Sequence, residues 1–164
     1  MLSAALAAAQ VPGPTAEHEQ LMTFVGDWTA AGMSFGAALR GEFKCEKFPG
    51  GYHVVCRGRY DLTKDGSTEI YHGLDVFGYS PAEKVYVWQG ANSQGWTPLG
   101  SIRGQREPNG WTWSRETREG GRKVSYHWAI VESKDTFTVK ATVAREGGAP
   151  EVFIDSVYTR SAQR

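Results

Sequence analysis

At 164 residues the chain falls in the range of one domain, given roughly 150 residues per domain, and is long enough to bury a sizeable core. Eighteen Lys and Arg balance eighteen Asp and Glu, which leaves neither the basic footprint of a nucleic-acid binder nor the polybasic signal of a membrane-surface binder. A 40% hydrophobic share excludes a disordered chain, and no apolar run reaches the ~18 residues of a membrane helix. Twenty glycines with 6 Trp, 7 Tyr and 7 Phe point instead to many short strands joined by tight turns.

Residues 1–14 read as a leader remnant or a disordered tail, and residues 15–164 as a single barrel domain. Ala7, Ala8 and Ala9 supply the small residues of an A-x-A-like cleavage site, which favours a periplasmic or secreted protein; an Ala-rich tail on a cytoplasmic protein is the alternative. Thr15 can cap one helix through AEHEQLMTFV, with Leu21, Met22 and Val25 on its apolar face and Gly26 as its stop. From Asp27 the period turns to alternation, with turn signals about every ten residues.

The predicted strands run 27–35, 39–48, 52–62, 68–79, 84–90, 96–103, 110–116, 123–131, 136–144 and 152–160. Short Gly-rich, Asn-rich and Pro-rich connections make successive strands antiparallel neighbours. About ten such strands remove their edges most simply by closing into an up-and-down barrel. Cys45 and Cys56 flank Pro49-Gly50-Gly51, and a hairpin centred between Gly50 and Gly51 puts them directly opposite, in position for a disulfide; two buried free thiols are the alternative. Alternation groups Val124, Tyr126, Trp128 and Ile130 on one face, and Phe43, Cys45, Val54, Cys56 and Gly58 on another apolar face opposite Arg57 and Arg59.

The segments HEQLMTFVGDWTAAG, GLDVFGYSPAEKVYVWQGANS and VFIDSVYTR resemble a bacterial domain family of unknown function, whose small, often exported members are similar to lipocalin-like (calycin) barrels. The likeness spans nearly the whole chain after Pro14. It implies the barrel fold and carries over no catalytic residue. Gly26-Asp27-Trp28-Thr29-Ala30-Ala31-Gly32 is also similar to the opening of nitrobindin-like haem barrels. Those place an axial histidine near the C-terminus, whereas the last histidine here is His127.

No spacing marks a metal site, a nucleophile elbow or a phosphate loop, so neither metal nor cofactor is expected. Aromatic residues form the strongest constellation: Tyr86, Trp88, Trp96, Trp111, Trp113, Tyr126 and Trp128. They fill a core or line a lumen, and a ten-stranded barrel is too wide for side chains to fill completely. The expected ligand is therefore a small apolar or amphipathic molecule, oriented by polar groups from Gln89, Asn92, Gln94 and Arg115. Pro98 marks a bulge or edge where the barrel opens.

A small-substrate enzyme of isomerase or lyase type, using a lumenal His72 with Asp75 or Tyr71, is the rival reading. Alternation separates Tyr71 and Asp75 from His72 and Leu74 without saying which side is the lumen. A homodimer through an exposed strand face is the third.

Overall fold

The structure is a computed structural model that describes residues 13–95 and 101–162. Ten antiparallel strands close into one barrel. They are β1 (Gly26–Ser34), β2 (Ala37–Lys47), β3 (His53–Lys64), β4 (Ser67–Ser80) and β5 (Val85–Asn92), followed by β6 (Ile102–Glu107), β7 (Gly110–Glu119), β8 (Arg122–Glu132), β9 (Thr136–Arg145) and β10 (Glu151–Arg160). Each strand pairs with its neighbours in sequence, and β10 returns to pair with β1, so the wall has no free edge. Among the described residues no helix is long and apolar enough to cross a membrane.

The predicted single helix is instead two short pieces: an α-helical turn α1 (Ala16–Gln20), then a 3-10 turn over Leu21–Phe24. Three residues per turn bring Leu21 and Phe24 to one face, and both are buried while Met22 and Val25 are only partly so. The expected trio of Leu21, Met22 and Val25 is corrected accordingly. Phe24 plugs one end of the barrel, with ring centroids 4.9 Å from Phe77, 5.2 Å from Trp111 and 5.5 Å from Phe137. The Trp28 indole N–H donates to the Phe24 carbonyl at 2.9 Å. Arg160 lies over the Trp28 ring at 4.1 Å and donates to the Val25 carbonyl at 2.8 Å, fastening the helical segment to the last strand.

His18 lies in the first helical turn, where the sequence predicts a surface residue, but the structure places it inside. It is buried, its Nδ1 accepts the Thr15 backbone N–H at 3.0 Å, and its ring packs edge-on against Tyr52 and Tyr79. Burial lowers its pKa.

Among the described residues the sixth strand, predicted over 96–103, runs Ile102–Glu107. The Pro108-Asn109 turn pairs Glu107 with Gly110, which carries the strand four residues past the predicted end at Arg103. Trp96, Pro98 and the leader residues 1–12 lie outside the described residues. Among the described residues β5 and β6 pair through Tyr86 with Gly104, Val87 with Arg103 and Trp88 with Ile102. Gly104 permits a close approach there, because a Cβ at that position would lie 2.6 Å from Cδ2 of the Trp113 ring.

Candidate ligand-binding site

Inward-facing residues start at the hairpin between β2 and β3. Its register pairs Cys45 with Cys56, and the two form a disulfide on the inner wall, as the mirror positions about Gly50 and Gly51 predict. The next hairpin turns at Asp65-Gly66, whose φ angles of 52° and 78° suit a two-residue loop between right-twisted strands. That turn sets Cys56 opposite Asp75. One row, Gly26, Cys45, Cys56, Asp75 and Gly90, therefore crosses five neighbouring strands on the lumenal side. Gly90 makes room for the acid: a Cβ there would come within 2.6 Å of Asp75 Oδ1.

Asp75 Oδ1 accepts the Trp88 indole N–H at 2.7 Å. Its second oxygen takes no hydrogen bond from any described residue, and it is not among the fully buried polar atoms that lack partners, so it opens into the lumen. No Lys, Arg or His among the described residues pairs with the carboxylate. Burial pushes its pKa up to about 6, opposed by the Trp88 hydrogen bond.

Three tyrosines stand around this carboxylate: Tyr60 on β3, Tyr71 on β4 and Tyr158 on β10. Burial raises all three hydroxyl pKa values, that of Tyr158 to about 12, and Asp75 raises each further. Tyr158 lies close enough to Tyr60 to raise its hydroxyl pKa further, and the rings of Tyr60 and Tyr71 stack with centroids 4.9 Å apart. Phe43 bridges Tyr60 and Tyr158 at 6.3 and 5.8 Å.

The other predicted residues divide between two levels of the barrel and its outside. Tyr86 sits at the plugged end, its hydroxyl donating to Gln20 Oε1 at 2.7 Å. Trp113 is fully buried against Trp111, Phe77 and Trp88, and its indole N–H has no acceptor among the described residues. Trp88, which touches Trp128 at 5.3 Å, and Tyr126 keep some exposure on the inner face, as do Asn92 and Arg115. Gln89 and Gln94 do not face the lumen. They are exposed and bonded to Ser101 and Glu69.

His72 corrects the expectation of a lumenal histidine. Tyr71, Gly73 and Asp75 take the inner side of β4, so alternation sends His72 outward, where it is exposed opposite Arg59. The pair of His72 with Asp75 fails on geometry. His127 is likewise exposed, between Ser114 and Thr142, so the nitrobindin-like arrangement has no lumenal histidine to supply an axial ligand. Among the described residues no three His, Cys, Asp or Glu side chains converge on one point. Two depressions, of about 360 and 260 Å³, open on the outer wall beside His72 and beside His127. Neither reaches the Asp75 carboxylate, and the interior holds the unpaired chemistry.

Tyr60, Tyr158 and Phe24 join the site without having stood out in the sequence. For Tyr60 a signal is present: once Cys56 is placed inward, alternation carries Gly58 and Tyr60 with it.

Ionisation of Asp75 gives a pH signature. Its folded pKa lies above the unfolded value, so the penalty for burying charge is full above about pH 6 and vanishes below about pH 4. Asp75→Asn should therefore melt above the wild type at about pH 7.5, and the gap should close as pH falls through that window. Scanning calorimetry across pH measures it, and a constant gap would assign Asp75 no such shift.

Fold and site together define a closed antiparallel barrel, plugged at one end, with aromatic rings inside it and, among the described residues, an inward-facing acid at Asp75 that no cation pairs. The chain belongs to the family described as "Protein of unknown function (DUF1579)", whose model matches residues 13–160. A search of the curated proteins finds no match.

Proposed function

We propose that this protein is a lipocalin-like binding barrel of bacterial origin that holds a small, largely apolar molecule in its lumen, without turnover. The observation that carries the reading is partial exposure on the inner wall. Phe43, Tyr71, Asp75, Trp88, Tyr126 and Tyr158 all point inward, yet each keeps accessible surface, whereas a packed core would close over them. Aromatic walls with few polar groups are the usual lining of a small-molecule pocket. The plug at Phe24 leaves the opposite end, near Tyr71, Asn92 and Tyr126, as the way in.

The disulfide supports a periplasmic or secreted setting, since such bridges persist in oxidising compartments.

Native mass spectrometry of protein purified from its source should show a small molecule that is lost on denaturation. Trp88→Ala should cut the bound fraction at least about tenfold, equivalent to about 1.4 kcal/mol. Trp88 is the better probe than Trp113, whose complete burial makes its loss a folding defect as well. A bare chain from the source, or an undiminished bound fraction in Trp88→Ala, would overturn the reading.

A further inference from the structure

We infer that the molecule held in the lumen is an organic amine, bound as its ammonium ion, with its nitrogen against Asp75 and its carbon body among Tyr60, Tyr71, Trp88 and Tyr158. The inference rests on the lumen-binding reading above and specifies its ligand class.

Three observations lead to it. Asp75 presents one oxygen already engaged by Trp88 and a second oxygen open to the interior. No described cation neutralises it. The groups near the carboxylate are the indole of Trp88 on β5, the hydroxyls and ring faces of Tyr60 on β3, Tyr71 on β4 and Tyr158 on β10, and the half-cystine Cys56.

Charge and ring faces narrow the ligand class together. An anionic ligand would meet a like charge in a low dielectric, which is strongly unfavourable. A neutral alcohol gains only a hydrogen bond to the open oxygen. An ammonium ion gains that hydrogen bond, the charge attraction, and the negative faces of the surrounding rings, the combination by which aromatic cages recognise organic cations. The tyrosine hydroxyls are held neutral by their raised pKa values, so between about pH 5 and 8 the carboxylate is the group in this cluster that changes charge. Of the described cations on the inner face, Arg115 lies toward Tyr126 on β8, Arg106 pairs with Glu132 and Arg160 sits over Trp28, and none of the three enters the balance at Asp75.

The test is calorimetric titration of the intact protein with n-octylamine and with 1-octanol, which share a carbon chain and differ in the head group. At about pH 7.5 the amine should bind at least about tenfold more tightly than the alcohol. That preference should shrink at about pH 5, where Asp75 is protonated and the amine still charged, and should vanish in Asp75→Asn. Gln89→Ala, on the exposed outer face of the same strand, should retain it. Should Asp75→Asn fail to melt cooperatively, the pH comparison in the wild type decides the matter. Equal affinities for amine and alcohol would overturn the amine inference and leave the lumen reading standing. A preference that survives Asp75→Asn would also overturn the inference. Binding of neither probe would overturn both readings.

Discussion

Replacing Phe24 with alanine is expected to lower stability by about 3–5 kcal/mol, or roughly 10–15 °C in melting temperature for a chain of this length. The ring is 4% exposed and makes close contact with three aromatic side chains from β4, β7 and β9, so its removal leaves a cavity among groups that rigid strands hold apart. The cavity cannot collapse readily, because the flanking backbone is fixed by the Trp28 indole bonded to the Phe24 carbonyl and by Arg160 on Val25. Met22→Ala, on the half-buried side of the same turn, is the matched control and should cost markedly less. Chemical denaturation of both variants measures the difference. A loss of under about 1 kcal/mol in Phe24→Ala would mean the plug is not Phe24.

The barrel is legible in the sequence because its signals are local. Ten alternating runs with hairpin chemistry between them leave few topologies, and pairing between sequence neighbours needs no long-range information. Register is legible too wherever a turn is compact. Mirror counting about Gly50 and Gly51 places Cys45 against Cys56, and the same counting about Asp65-Gly66 places Asp75 against Cys56. Carried through that second turn, alternation puts Asp75 in the lumen with the half-cystines and His72 outside, so residue order alone is enough to separate the acid from the base. What alternation does not contain is closure. Tyr158 approaches Tyr60 because β10 returns to β1, bringing together residues almost a hundred positions apart through two intervening strands. The N-terminal helix is ambiguous for a different reason. An apolar pattern at three- and four-residue spacing serves an α-helix and a 3-10 turn equally over ten residues, and the choice between Phe24 and Met22 as the buried side chain depends on which one forms.

Removing the bridge by the double substitution Cys45→Ala and Cys56→Ala should cost about 3 kcal/mol. Chain entropy sets this figure. The two cysteines are 11 residues apart, so the bridge closes a short loop in the unfolded chain and removes only the freedom such a loop possesses. Alanine is the right replacement, since serine would bury two hydroxyls on a wall lined by Val54, Phe43 and the half-cystines' own apolar neighbours. Pairing at this point survives the change, because Cys45 and Cys56 also sit in backbone ladders that continue on both sides to Gly26 and Asp75. The expected result is therefore a barrel that folds cooperatively at lower denaturant, with its denaturant dependence per mole somewhat steeper as the unfolded chain expands. Oxidised wild type, reduced wild type and the double variant should form a series in which the last two nearly coincide. A double variant as stable as the oxidised protein would show that the unfolded hairpin already keeps its ends together without the bridge.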